Sequence, residues 1–110
     1  MDGYQLCEGL RLQRNAKVAD QGSVLTAVRE GMARQDFNAE GAFLSLAREG
    51  RFHILNLSAS LILEGLLEGR TDEALADVFE EVFQVDREQA SRDIERVKRE
   101  LIEKGFVERV

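Results

Sequence analysis

Few side chains in this sequence are of the types that carry out covalent or metal chemistry. The chain has a single histidine, His53, a single cysteine, Cys7, and a single tyrosine, Tyr4. A protein zinc site takes three or four nitrogen or sulfur ligands, and His53 with Cys7 supplies only two. A catalytic pair of Cys7 and His53 would need the two side chains in contact, and nothing in the sequence brings them together. These residues therefore predict no metal centre and no nucleophilic site.

The acidic residues are more numerous, but their spacing does not point to acid–base catalysis. Most of the 21 aspartates and glutamates lie beside arginines or lysines along predicted helices, at spacings typical of surface ion pairs. The glycines form neither a dinucleotide-binding nor a phosphate-binding loop pattern. We therefore expect a protein that is not an enzyme and that uses no cofactor.

Length and composition favour one folded domain that works inside the cell. The chain has 110 residues, of which 44% are hydrophobic and 33% charged, with no proline or tryptophan. A lone cysteine, Cys7, cannot form an internal disulfide. No apolar run approaches the roughly 18 residues of a membrane span, and the N-terminus lacks the basic and apolar regions of a signal peptide. The predicted location is the cytoplasm, with no membrane association.

The charge of the chain is unevenly distributed. Residues 1–35 carry four acidic and five basic side chains, whereas residues 36–110 carry 17 acidic and 10 basic ones. An acidic surface repels the phosphate backbone, from which nucleic-acid-binding proteins gain most of their affinity. Nucleic acid is therefore not the expected partner.

The chain is predicted to divide near residue 36. In residues 1–36, Leu10 and Leu12 alternate with polar residues as in a short strand, and Ser23 can cap a helix. The apolar positions of that helix lie on one side: Val24, Leu25, Val28 and Met32. We interpret residues 1–36 as an N-terminal arm that packs on the main domain, residues 37–110, or on another chain.

The main domain is predicted to begin with a β-hairpin. The segments Ala42–Arg48 and Arg51–Asn56 are strand-like, and Glu49-Gly50 between them suits a tight turn because glycine tolerates a positive φ. Alternation along the second strand predicts that His53 lies on its exposed face, between Phe52 and Ile54.

Three helices are predicted after the hairpin. The first, from Ser58 to Glu68, has a wide apolar face and ends at Gly69. The second follows the N-cap residue Thr71, and the third runs from its N-cap Asp86 to Gly105. The predicted fold is α+β and winged-helix-like, with a small antiparallel sheet and hairpin, a three-helix bundle and an N-terminal helical arm.

Four segments at the junctions of these elements resemble the PqqD-like family, also called RiPP recognition elements. They are ILNLSASLI at Ile54–Ile62, LLEGRTDEAL at Leu66–Leu75, FQVD at Phe83–Asp86 and ELIEKGFV at Glu100–Val107. The resemblance extends from Gly41 to Glu108. The first strand of the family usually lies shortly before the hairpin, and its nearest match here is GLRLQ at Gly9–Gln13. This strand is either displaced by a helical insertion or missing.

The resemblance implies a non-catalytic module that binds the leader of a ribosomally made precursor peptide and presents it to a modifying enzyme, often a radical S-adenosylmethionine protein. Family members hold the leader as an extra strand on a sheet edge, beside the last helix. Carried over to this sequence, the pairing strand comprises Arg51, Phe52, His53, Ile54 and Leu55, and the helix contributes Arg92, Arg96 and Arg99. For Phe52 and Ile54 the alternative is ordinary packing, and for the arginines it is a solvated helix face.

Two other functions remain open at the level of sequence. A winged-helix DNA-binding regulator would place its third helix in a major groove, although the acidic residues of this helix offset nearly all of its basic ones. A general protein-interaction or oligomerisation domain would use the apolar stripe of residues 24–32. An open strand edge and a helical arm also favour a homodimer.

Overall fold

The computed structural model describes residues 3–30 and 43–110, which form small antiparallel sheets and several helices and so confirm the predicted α+β class. In chain order the elements are β1 (Tyr4–Leu6), β2 (Arg11–Arg14), α1 (Ala16–Gln21), α2 (Val24–Arg29), β3 (Leu44–Arg48), β4 (Arg51–Leu55), α3 (Leu57–Leu67), α4 (Asp72–Phe83), α5 (Arg87–Glu103) and β5 (Val107–Arg109). The chain divides into two compact units. We name residues 8–61 the hairpin unit and residues 1–7 with 62–110 the helical unit.

The hairpin unit contains a three-stranded antiparallel sheet in the order β2-β3-β4. The connection between β3 and β4 is a two-residue turn, with Arg48 opposite Arg51. Both turn residues have positive φ, 51° at Glu49 and 79° at Gly50, which matches the right-handed twist of the flanking strands. The predicted hairpin and its turn are therefore confirmed.

The strand β2 lies beside β3, with Arg11 opposite Ala47 and Arg14 opposite Leu44. It overlaps the GLRLQ segment, and residues 15–43 separate it from β3 along the chain. This intervening segment contains α1 and α2. As predicted, Ser23 caps α2, since its side chain accepts a hydrogen bond from the amide of Thr26 at 3.0 Å. Met32 and the predicted boundary at residue 36 lie outside the described residues.

The helix α3 begins within the hairpin unit and continues into the helical unit. It starts after Asn56, whose side chain accepts a hydrogen bond from the amide of Ala59 at 2.8 Å. Every residue from Ser60 to Leu66 is buried, so this is a central helix, as its wide apolar face predicts. The sequence did not indicate that Glu64 is buried as well.

In the helical unit, capping residues mark where the helices begin and end. Thr71 accepts a hydrogen bond from the amide of Ala74 at 3.1 Å, and Asp86 accepts one from the amide of Gln89 at 2.8 Å. Gly69 and Gly105 have positive φ after α3 and α5. The predicted caps are confirmed, and the helices bury one-sided stripes: Leu75, Ala76, Val78 and Phe79 on α4, and Ala90, Ile94, Val97 and Leu101 on α5.

A second, two-stranded sheet in the helical unit joins β1 to β5, with Tyr4 opposite Arg109 and Leu6 opposite Val107. The predicted apolar tail at Phe106 and Val107 is buried. Its pairing with residues near the N-terminus has no local sequence signal, because the two strands lie at opposite ends of the chain. No helix within residues 3–30 and 43–110 is both long and apolar enough to cross a bilayer.

Candidate functional site

The strand β4 is an edge strand of the three-stranded sheet. Its one partner among the described strands is β3, so its second edge carries no strand within residues 3–30 and 43–110. An open edge presents backbone N–H and C=O groups that another extended chain can satisfy. This edge is therefore the first candidate for a functional surface.

The phase of the backbone hydrogen bonds shows which residues of β4 face that edge. Asn15 donates its amide hydrogen to the carbonyl of Phe43 at 3.3 Å, so Phe43, and with it Ser45 and Ala47, directs its backbone groups towards β2. Leu44, Leu46 and Arg48 then face β4, where they bond with Leu55, His53 and Arg51. The remaining residues, Phe52 and Ile54, direct their N–H and C=O groups to the open edge.

The side chains of Phe52 and Ile54 are also open to solvent. Phe52 is 64% exposed and Ile54 is 63% exposed, values far above those of the buried aliphatic side chains of this sheet. Residues directly opposite in antiparallel strands share a face, so this pair lies on the same face as Ala47 and Ser45. The sequence left packing and binding open for these two residues, and their exposure argues against packing.

The opposite face of the sheet carries the buried leucines Leu44, Leu46 and Leu55. His53 lies opposite Leu46 and therefore on this face. His53 is exposed, as predicted, but the expected division into faces is wrong, because Phe52 and Ile54 take the solvent side of the sheet. His53 reaches solvent because it lies at the edge.

The predicted pairing strand thus contains four exposed residues and one buried residue. Arg51, Phe52, His53 and Ile54 are exposed, whereas Leu55 is part of the core. Arg51, which pairs with Arg48 beside the turn, lies on the same face as His53. The edge therefore combines an apolar pair on one face with positive charge on the other.

The three predicted arginines of α5 are all exposed. Arg92 lies 3.2 Å from Glu88 and Arg96 lies 3.5 Å from Asp93, both within the same helix. Arg99 forms no ion pair with any residue in the described part of the chain. The arginines belong to the helical unit and residues 51–55 to the hairpin unit, so the predicted site residues fall into two sets.

The helical unit also contains a polar cavity of about 410 Å³, lined among others by Tyr4, Asp72, Lys98 and Arg109. Arg109 donates a hydrogen bond to the Tyr4 hydroxyl at 3.3 Å, and Lys98 Nζ donates one to Asp72 at 2.9 Å. Burial lowers the pKa of Lys98, but its hydrogen bond and attraction to Asp72 outweigh this, and the pKa is raised above 10.5. Lys98, Asp72 and Arg109 in this cavity thus already have hydrogen-bonding partners within the protein.

The residues with redox or metal-binding potential are dispersed. Cys7 is a half-buried free thiol. Within residues 3–30 and 43–110, no group of three or more histidine, cysteine, aspartate or glutamate side chains is arranged to hold a metal ion. The candidate surface is therefore defined by backbone geometry, exposed apolar side chains and arginines.

Comparisons with known proteins agree with this fold. A solved structure described as "Lasso peptide synthetase B1 complexed with the leader peptide" has 24% sequence identity to this chain and a TM-score of 0.56, with 96% of each chain covered. This likeness shows a shared fold. No curated protein matches the chain. The family model described as "Coenzyme PQQ synthesis protein D (PqqD)" matches residues 24–107. Since that match spans well over half of the sequence, the chain belongs to the PqqD family.

Proposed function

We propose that this protein is a non-catalytic module that binds the leader segment of a ribosomally made precursor peptide and presents it to a modifying enzyme. In this proposal the leader adds to the open edge of β4 as a fourth strand. The observation that carries it is the coincidence, at Phe52 and Ile54, of outward backbone groups with exposed apolar side chains.

Strand addition suits this edge for a physical reason. Backbone hydrogen bonds to an edge strand supply affinity for any extended peptide, and the side chains beside them supply selectivity. Exposed apolar residues on an open edge invite aggregation, and proteins usually blunt such edges with charge, proline or a covering element. Phe52 and Ile54 are consistent with an edge whose partner is a peptide.

The comparisons support the same function. The chain belongs to the PqqD family. The structure that shares its fold was solved as a complex with a leader peptide, according to its description.

The arginines of α5 are proposed to make a second, electrostatic contribution. Arg92, Arg96 and Arg99 would attract acidic side chains of the leader, with Arg99 the strongest contributor because Arg92 and Arg96 already pair with Glu88 and Asp93. These own-helix ion pairs also count against the DNA-binding alternative, since a DNA reader concentrates positive charge on its docking face.

The partners and setting follow from the same proposal. The modifying enzyme would be of the radical S-adenosylmethionine class, and both proteins would act in the cytoplasm, where ribosomes release the precursor. In the absence of leader, two copies could pair through their β4 edges to form a homodimer.

Proline scanning of the two sheet edges tests the proposal. Phe52→Pro and Ile54→Pro each remove an amide that faces the open edge of β4 and spare the hydrogen bonds to β3. The matched control is Arg14→Pro, because the register directs the Arg14 amide away from β3 on the opposite edge, β2.

Binding of precursor peptides encoded beside this protein is measured by calorimetry, and folding by circular dichroism. We expect Phe52→Pro and Ile54→Pro to weaken leader binding at least about tenfold, through lost hydrogen bonds and altered edge geometry, while the fold is retained. Arg14→Pro should bind as the parent does. Unchanged binding in both β4 variants, or an equal loss in Arg14→Pro, would overturn strand addition at β4.

A further inference from the structure

The two faces of the β4 edge differ in chemistry, and a peptide strand added there would meet both. Side chains of neighbouring strands line up on shared faces, so every second residue of the peptide lies beside Phe52 and Ile54. The residues between them lie on the other face, beside Arg51 and His53. The chemical difference between the two faces determines which peptide sequences the edge selects. This inference rests on the proposed function.

The open face selects apolar residues. Phe52 and Ile54 are the exposed members of this face, and their neighbours on β3, Ala47 and Ser45, are small and half-buried. A peptide side chain beside either residue removes apolar surface from water, which favours binding. Two apolar peptide residues, separated by one, therefore fit this face.

The turn end of the other face selects negative charge. Arg51 pairs in register with Arg48 and so lies on the His53 face of β4, beside the turn. Arg51 is exposed and lies at the edge. An acidic side chain in the peptide opposite Arg51 would form an opposite-charge pair with it, whereas a basic one would be repelled.

The order of these preferences follows from strand direction. The sheet is antiparallel throughout, and antiparallel pairing is slightly more stable per residue than parallel pairing. A peptide running antiparallel to β4 meets Ile54 first, then His53, Phe52 and Arg51. We infer that the edge recognises the pattern apolar–any–apolar–acidic, read from the N-terminus to the C-terminus of the leader.

Short synthetic peptides test this pattern. The parent peptide carries Val-Thr-Leu-Glu in the middle of a neutral Ser/Asn sequence. One variant has Lys in place of Glu, one has the order Val-Leu-Thr-Glu, which puts the two apolar residues on opposite faces, and one has the reversed order Glu-Leu-Thr-Val. Affinities are measured by fluorescence anisotropy of labelled peptides.

We expect the parent peptide to bind most tightly and each variant to bind about threefold to tenfold more weakly, in keeping with the energies of cross-strand pairs. With the protein variant Arg51→Glu, the preference should reverse, so that the Lys peptide binds better than the Glu peptide. Arg14→Glu, a charge reversal on the opposite edge strand, should leave the preference unchanged.

The outcomes separate the two proposals. If the natural leader binds at β4 but the peptides do not differ, or Arg51→Glu leaves the preference for Glu intact, the inferred pattern is wrong and the proposed function stands. If the reversed peptide binds best, the antiparallel direction is wrong. If neither the natural leader nor any synthetic peptide binds, the proposed function itself fails.

Discussion

Two phenylalanines in this protein have opposite surroundings. Phe79 on α4 is 1% exposed, and its ring meets that of Phe83 edge to face, with 4.9 Å between the ring centroids. Phe52 on β4 is 64% exposed. The same side chain thus contributes to the core in the helical unit and stays exposed to solvent in the hairpin unit. Under the proposed function, Phe79 serves stability and Phe52 serves binding.

Backbone groups show the same contrast. At the starts of α4 and α5, Thr71 and Asp86 satisfy amides that the helix itself leaves without a partner. At β4, the register leaves the amides of Phe52 and Ile54 facing outward. Thr71 and Asp86 thus satisfy amides at the starts of two helices, whereas the outward amides of β4 meet no strand within residues 3–30 and 43–110.

Truncating each phenylalanine to alanine is the strongest test of this contrast between a buried and an exposed ring. Phe79→Ala removes a buried ring and should lower the free energy of unfolding by about 3–5 kcal/mol. Phe52→Ala should change it by less than about 0.5 kcal/mol, because the ring is exposed. Urea denaturation followed by circular dichroism measures both values. A large loss for Phe52→Ala would mean that this ring supports the fold.

A smaller effect is expected at the start of α4. Thr71→Ala removes the acceptor for the Ala74 amide and should lower the free energy of unfolding by about 1 kcal/mol. Leader binding should be unchanged, since Thr71 belongs neither to β4 nor to the proposed arginines of α5. Thr71→Ser, which keeps the hydroxyl, is the control. Stability equal to the parent in Thr71→Ala would show that this cap contributes nothing.

The smallest effect concerns the Lys98–Asp72 pair. The pKa of Lys98 is raised in the folded protein, so the pair's contribution is complete below the ordinary value of 10.5 and is lost as the pH rises through the raised pKa. Unfolding by urea at pH 8 and at increasing alkaline pH should show a smaller pH-dependent loss in Lys98→Met than in the parent. The exposed Lys104→Met is the control, and identical pH dependence in all three proteins would contradict the assignment.

The sequence predicts the helices well because their signals are local. Thr71, Asp86, Gly69 and Gly105 each act within one helical turn, so a short segment contains both the capping residue and the group that it satisfies. The pairing of β1 with β5 joins residues such as Tyr4 and Arg109, and no local pattern encodes contacts between the two ends of a chain.

The candidate site on β4 can be predicted from the sequence only in part. Alternation shows that Phe52 and Ile54 share a face, but it does not identify which face of the sheet is buried. The length of the turn identifies the buried face. A two-residue connection at Glu49-Gly50 pairs Leu46 with His53 and Leu44 with Leu55. The buried leucines therefore lie on the same face of the sheet as His53. Assigning the core face requires both strands of the hairpin together.

The short turn between β3 and β4 has a consequence for how this family can diverge. If one inserted or deleted residue at Glu49-Gly50 shifted the register by one, the two faces of β4 would be exchanged, and Phe52 and Ile54 would turn towards the buried leucines. The connection between β2 and β3 is, by contrast, long and contains two helices, α1 and α2. Among relatives that keep the function of this edge, length should therefore vary freely between the first and second strands and stay constant in the hairpin turn.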